Sequence, residues 1–373
     1  MRLLALGALL FAVSASVVAA AQAKPSSESK TASGFDQLSQ EANRARDEGR
    51  GEDAIRLYRQ ALSQRANWKD GLWSFGSLLY GTNQYSEARD VLRRFVAIDP
   101  ELGLGWALLG MSEFQMHDYA RALDHLQRAM SLGMGEQKEI AESVFYYVAI
   151  LQTRFERFDE SMTLLIAIVK SGQNTEQLIE PIGLAALRLP LLPSEIPADR
   201  RAMIRAAGEG TLALEAQRQD EAEKKFAGLV ASYPDEPGVH FLYGAFLMDL
   251  RPEDGIKEMQ RELQVSPFSV PARLRIAEEY IKEERVADAL PLAQEAVKID
   301  PKRGVTHMML GEVLVAKGDI AAGITELEAA REKAPDTVRV RWDLLRAYTS
   351  SGRSEDAKRE KEEIEKLSHP SAQ

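Results

Sequence analysis

The feature that most constrains the fold is a pattern of large and small residues that returns every 34 residues along the 373-residue chain. Leu72, Phe75, Gly76 and Leu79, followed by Ala88, Leu92, Phe95 and Pro100, reappear one interval later as Trp106, Leu109 and Gly110, then Ala122, Leu126 and Ala129. Late copies are as clear: Leu310, Gly311 and Leu314 lead to Gly323, Leu327, Ala330 and Pro335. The frame fits starts at residues 35, 69, 103, 142, 203, 237, 270, 304 and 338. Within each copy, apolar residues recur at i, i+3, i+4 and i+7, which predicts two amphipathic helices. Turn-formers separate them near residues 82–84, 116–118 and 317–319. Gly or Ala at the eighth and twentieth positions lets two backbones approach, while bulky fourth, seventh and twenty-fourth residues fill the space alongside. Asp99-Pro100, Asp300-Pro301 and Ala334-Pro335 stop the second helix and start the turn into the next copy.

These residues resemble the tetratricopeptide-repeat family, whose unit is helix-turn-helix with a W-x2-L-G-x2-Y, A-x3-F and P pattern at these spacings. The resemblance covers residues 35–367, with Glu113 in place of the tyrosine and Ser161 and Ile256 in place of the small alanine. It implies an all-α, right-handed superhelical solenoid of stacked antiparallel helix pairs, about nine units plus one degenerate unit. The family is a non-enzymatic binding architecture used in many pathways, so the resemblance fixes the fold more narrowly than the function.

Two spacings break the rhythm, 39 residues between the starts at 103 and 142 and 61 between those at 142 and 203. The first predicts extra helix near residues 137–141. The second leaves residues 176–202 with a first helix (Ile179, Ile182, Gly183, Ala186) but no second. In its place lies LPLLPSEIP, residues 189–197, whose three prolines favour an extended path. Leu191, Leu192 and Ile196 are expected to plug the apolar gap. The segment reads as a hinge or docking strand, or as a degraded repeat patched by local packing. The expected organisation is a signal peptide (1–23), a flexible polar lead-in (24–34), a four-unit array (35–175), the degenerate unit (176–202), a five-unit array (203–367) and a tail (368–373).

Arg2, an apolar run over residues 3–18 and Ala21-Gln22-Ala23 make an export signal cleaved near Ala23, which predicts a periplasmic or secreted protein. An uncleaved N-terminal anchor is the alternative. The net charge of -10 disfavours nucleic acid and anionic lipid as partners. With no cysteine, thiol catalysis, disulfides and thiolate metal sites are excluded. No phosphate-binding Gly-rich loop, nucleophile elbow or H-E-x-x-H helix is present, so the chain is read as no enzyme, with no cofactor and no metal. His117 and His125, with Asp118 and Asp124, read as a solvated turn rather than a metal site. Interleaved charges such as Glu278-Glu279 and residues 358–363 read as solvated faces.

In the family that the chain resembles, ligand contacts come mainly from the second, fifth, ninth, twelfth and thirteenth positions, on first helices lining a concave groove. Carried onto this sequence, those positions give Trp73, Ser77, Tyr80, Met111, Phe114, Tyr146 and Thr153 in the second to fourth units. The fifth to eighth units give Leu214, Phe241, Met248, Leu274, Ile281 and Met308. Such a wall suits an apolar peptide or protein segment. The last unit offers Arg339, Trp342 and Arg346, which could hold a carboxylate. Against this stands packing of the same residues on the neighbouring unit's first helix. The family's Lys/Asn clamp for a C-terminal carboxylate is not matched, since only Asn43 fits. The expected function is a protein-interaction scaffold binding a protein or peptide partner in the groove. A membrane-associated complex would be reached only through that partner. The alternative is a structural subunit of an envelope export, pilus or polysaccharide assembly that uses its convex face.

Overall fold

A computed structural model describes residues 29–172 and 175–368. The residues of the expected export signal, the first five of the lead-in and nearly all of the tail lie outside the described residues. No helix among the described residues is long and apolar enough to cross a membrane.

The described residues are helical throughout, with no strand, in two compact units. The first contains α1 (Ser29–Asp47), α2 (Gly51–Gln64), α3 (Lys69–Gly81), α4 (Tyr85–Ile98), α5 (Gly103–Gln115), α6 (Tyr119–Leu132), α7 (Lys138–Arg154) and α8 (Phe158–Lys170), together with Pro190–Ile196. The division falls inside α9 (Thr175–Ala186). The second unit carries α10 (Arg201–Glu215), α11 (Gln219–Ser232), α12 (Val239–Met248), α13 (Pro252–Val265), α14 (Val270–Lys282), α15 (Val286–Ile299), α16 (Gly304–Lys317), α17 (Ile320–Lys333), α18 (Val338–Ser350) and α19 (Ser354–Ser368). Each odd helix up to α7, and each even helix from α10, pairs with its successor. These are the nine helix pairs expected from the repeats, with α9 as the helix lacking a partner of its own. Helix α7 has 17 residues against 13 in α3 and α5, which is where the extra residues of the long interval lie. Helix α1 starts at Ser29, inside the stretch expected to be a polar lead-in.

The periodic small residues mark the contacts between paired helices. A β-carbon on Gly110 would lie 2.7 Å from Leu126 Cγ and 3.1 Å from the Ala122 carbonyl oxygen. On Gly311 it would lie 2.6 Å from Leu327 Cγ and 3.0 Å from the Gly323 carbonyl. Around these crossings Leu72, Leu79, Leu92, Leu109, Leu126 and Phe95 are almost wholly buried. Removing that apolar surface from water is the main stabilising contribution, at roughly 25 cal/mol per Å².

The turn within a pair is equally periodic. Gly49, Asn83, His117, Glu156, Gln217, Glu284, Gly318 and Gly352 each end a first helix with positive φ, between 60° and 92°. Each lies one or two residues past the last helical residue and lets the next amide reach back to the helix's free carbonyls, as Gln84 N does to Leu79 O at 2.8 Å. Loops between pairs are pinned from the fourth position. Trp106 Nε1 donates to the Pro100 carbonyl at 2.8 Å, and Arg341 Nη2 donates to that of Pro335 at 2.8 Å. His307 sits between the Pro301 carbonyl (2.9 Å) and Glu326 of α17 (2.7 Å), and His240 between Pro234 (2.9 Å) and Glu258 of α13 (2.7 Å).

The turn geometry yields a test. Glu156 and Glu284 hold a left-handed conformation that costs an L-residue about 1 kcal/mol, so Glu156→Gly and Glu284→Gly should each raise stability. The effect, seen as a shift of a few degrees in melting temperature, should be absent for Glu160→Gly within α8, which should destabilise.

Candidate functional site

Within the first unit, α3 lies against α5 and α5 against α7, while α4 and α6 each pack between two first helices. The mutual approach of the first helices puts them on the inner side of the stack. Tyr80 of α3 donates its hydroxyl to Met111 Sδ of α5 at 3.7 Å. Phe114 of α5 packs on Tyr147 of α7 with ring centroids 4.5 Å apart, and Gln115 Nε2 donates to the Tyr147 hydroxyl at 3.4 Å. Tyr146 meets Tyr147 edge-on at 5.9 Å. Tyr85 and Tyr119, the first residues of α4 and α6, close on Tyr80 (5.6 Å) and Phe114 (5.5 Å) from the turns. The result is one aromatic cluster spread over three successive pairs.

The cluster is apolar enough to keep its phenols neutral. Burial pushes Tyr146 up to about 12, with the neighbouring Tyr147 and the Glu180 carboxylate acting in the same direction. Burial raises Tyr80 and Tyr147 as well. Neutral hydroxyls over half-buried rings can donate to a backbone carbonyl while the rings cover apolar side chains.

The expected lining residues fall into three groups. Tyr80, Phe114 and Tyr146 join the cluster and are half-buried. Trp73 packs on Phe95 of α4 at 5.4 Å, and Ser77 turns its hydroxyl into a shielded position without a hydrogen-bond partner. In the second unit Phe241 is half-buried under the Arg188 guanidinium, 5.5 Å from its ring. Met111, Met248 and Met308 are corrections. They are 1 %, 6 % and 6 % exposed and belong to the core. The cause is the neighbouring unit: Met308 shares an apolar cluster with Val340 and Leu344 of α18, and Met248 with Ile276 of α14. Thr153 is likewise buried, bonded to Ser161 at 2.7 Å.

The carboxylate-holding role expected of Arg339 and Arg346 is also corrected, because both are engaged by this chain's own acids. Arg339 donates to both oxygens of Glu312 (3.0 and 3.1 Å) and to Glu278 (3.4 Å), and Arg346 pairs with Asp343. Trp342 stands beside them, 48 % exposed. Burial, and then the hydrogen bond and charge of Asp343, push Glu312 up to about 8 against the pull of Arg339. A proton retained by Glu312 would supply the donor that the buried Asp343 Oδ2 otherwise lacks.

The histidines serve structure. His125 is no solvated turn: it packs on Trp106 at 5.1 Å and reaches the fully buried Glu113 at 2.6 Å, while His117 bonds Tyr119. Among the described residues no group of three or more His, Cys, Asp or Glu is placed to hold a metal ion. Sequence reasoning missed Tyr85, Tyr119, Tyr147, Gln115 and Arg154 as parts of the aromatic face. For Tyr85, Tyr119, Gln115 and Arg154, position just before or after the turn of a pair was the available signal, whereas Tyr147, in the middle of α7, carried none.

The Glu312–Asp343 pair predicts a pH dependence. A carboxyl raised on folding contributes stability that is complete below its unfolded value near 4.5 and is lost as pH rises through about 8. Glu312→Gln should therefore show a flatter fall in melting temperature between pH 5 and roughly pH 8.5 than the parent chain. Parallel profiles would remove the retained proton.

Residues 39–103 and residues 280–341 each match a family model described as tetratricopeptide repeat. No curated protein matches the chain. Similar solved structures include MamA 41-end from Desulfovibrio magneticus RS-1, at 15 % identity and TM-score 0.42, covering 46 % of this chain and 98 % of that one. A MamA crystal structure matches at 17 % identity and TM-score 0.40, over 44 % of this chain and 96 % of that one. A thermophilic TPR protein of Thermus thermophilus matches at 18 % identity and TM-score 0.39, over 46 % of this chain and 93 % of that one. With the repeat models at both ends of the array and the same helix pair recurring between them, the chain is a tetratricopeptide-repeat protein.

Proposed function

We propose that this chain is a protein-interaction scaffold whose N-terminal array takes up an extended or helical partner segment on the face formed by Tyr80, Phe114 and Tyr146. The observation that carries the reading is the continuity of that face. Three first helices each contribute half-buried aromatic side chains that are linked to one another. Aromatic rings offer large contact area with few rotors to freeze, and neutral hydroxyls serve the polar backbone of a guest. The net charge of -10 argues against nucleic acid as the guest. The apolar run of residues 3–18 ending in Ala21-Gln22-Ala23 supports action in the periplasm or outside the cell.

Crosslinking pulldown of the chain, compared with a Trp73→Ala, Phe114→Ala, Tyr146→Ala triple variant, tests the proposal. Loss of partner capture by about tenfold or more with unchanged helicity is expected. Capture that survives would move the interface to the second-helix side, as a permanently built-in assembly subunit would require.

A further inference from the structure

The first unit already holds one segment that lies outside the helix pairs, extended at Leu192 and then closed by a single 3-10 turn at Pro193–Glu195, where Glu195 N donates to the Leu192 carbonyl at 2.8 Å. Pro190–Ile196 belongs to the same compact unit as α1 to α8, although the residues on both sides of it belong to the other. Leu192, 1 % exposed, lies in the apolar cluster against which Phe114, Tyr146 and other residues pack, and Ile196 is buried as well. The polar attachment runs through Arg154, the last residue of α7. Its Nη1 donates to the Pro190 carbonyl at 3.0 Å. Glu195 folds back to accept the Leu192 N–H at 2.9 Å and leaves Oε2 at 3.7 Å from Arg154 Nε. Tyr119 of the aromatic face feels the charges of both Glu195 and Arg154.

Two properties make this an exchangeable contact as well as a covering. Pro190, Pro193 and Pro197 each fix φ and so restrict the segment before it docks, with Pro193 opening its 3-10 turn, so a separate chain with the same spacing would lose little conformational entropy on docking. The anchor is also unsaturated. Arg154 Nε is shielded from solvent and makes no hydrogen bond, with its nearest described carboxylate beyond bonding distance. A carboxylate free of the Leu192 amide could close on it and form the charge-assisted bond that Glu195 does not.

We infer that the α7 end of the aromatic face is a receptor for proline-restricted segments in which a leucine between two prolines is followed three residues later by a carboxylate, and that residues 190–196 are its resident occupant. A partner segment of that chemistry enters by displacing the chain's own. This rests on the reading of the aromatic face as the partner-binding surface.

The probe is a fluorescein-labelled peptide of residues 188–198, RLPLLPSEIPA, titrated into the full chain by polarisation. The Leu192→Ser, Glu195→Ala double variant, which releases the resident segment, should bind it at least about tenfold more tightly than the unaltered chain, and adding Arg154→Ala should abolish that gain. Equal affinity for both chains, or a gain that survives Arg154→Ala, would overturn the inference. If the double variant loses helicity, hydrogen exchange on Arg154→Ala alone decides. Amides of residues 191–196 should exchange at least about tenfold faster while those of α7 stay protected, and unchanged exchange would overturn the inference. Peptide binding that persists when the aromatic substitutions leave partner capture intact would keep this receptor and remove the broader reading.

Discussion

The close crossing of two helices at a small residue is the contact on which the rest of the molecule depends. Where Gly110 meets Leu126 and Ala122, or Gly311 meets Leu327 and Gly323, there is no room for a side chain on the first helix. Leucines and phenylalanines on either side are buried only because the backbones approach so far. One residue in the left-handed region after every first helix but α12 then reverses the chain within a short turn. In the first unit, repeating that pair brings α3 against α5 and α5 against α7, so side chains at equivalent positions of these helices become neighbours despite being a full repeat apart in sequence.

That adjacency has opposite consequences along one helix face. Methionines at the ninth and fifth positions, Met111 and Met308, are buried in the core. Rings near the turn, Tyr80 and Phe114 among them, reach beyond that contact and meet the tyrosines that open the second helices. The core and the candidate site are therefore continuous. The segment at Pro190–Ile196 shows what this face accommodates: a proline-restricted backbone with one 3-10 turn, one buried leucine and a carboxylate near Arg154.

The architecture was legible in the sequence because periodicity records which residues must be small and which large. The burial of Leu192 and Ile196 was legible too, since apolar residues among prolines have no helix of their own to pack in. The turn at Glu156 was less so: its neighbours lack the Gly or Asn that marks the same position at Gly318 and Asn83, and tertiary packing imposes the conformation instead. The fate of Arg339 was hidden because its partner, Glu312, lies in the preceding repeat, whereas the Asp343–Arg346 pair, three residues apart on one helix, could have been anticipated. The histidines read as isolated because the carbonyls and glutamates that His240 and His307 bridge become adjacent only after the pairs stack.

The most direct measurement of the central claim, that the first-helix aromatic face is where a guest chain sits, is site-specific photo-crosslinking from the two sides of one helix pair. A benzophenone side chain introduced in place of Phe114 should crosslink to a partner segment, and the same group in place of the exposed Asp124 on α6 should not. Crosslinks that form from position 124 and fail from position 114 would contradict the account.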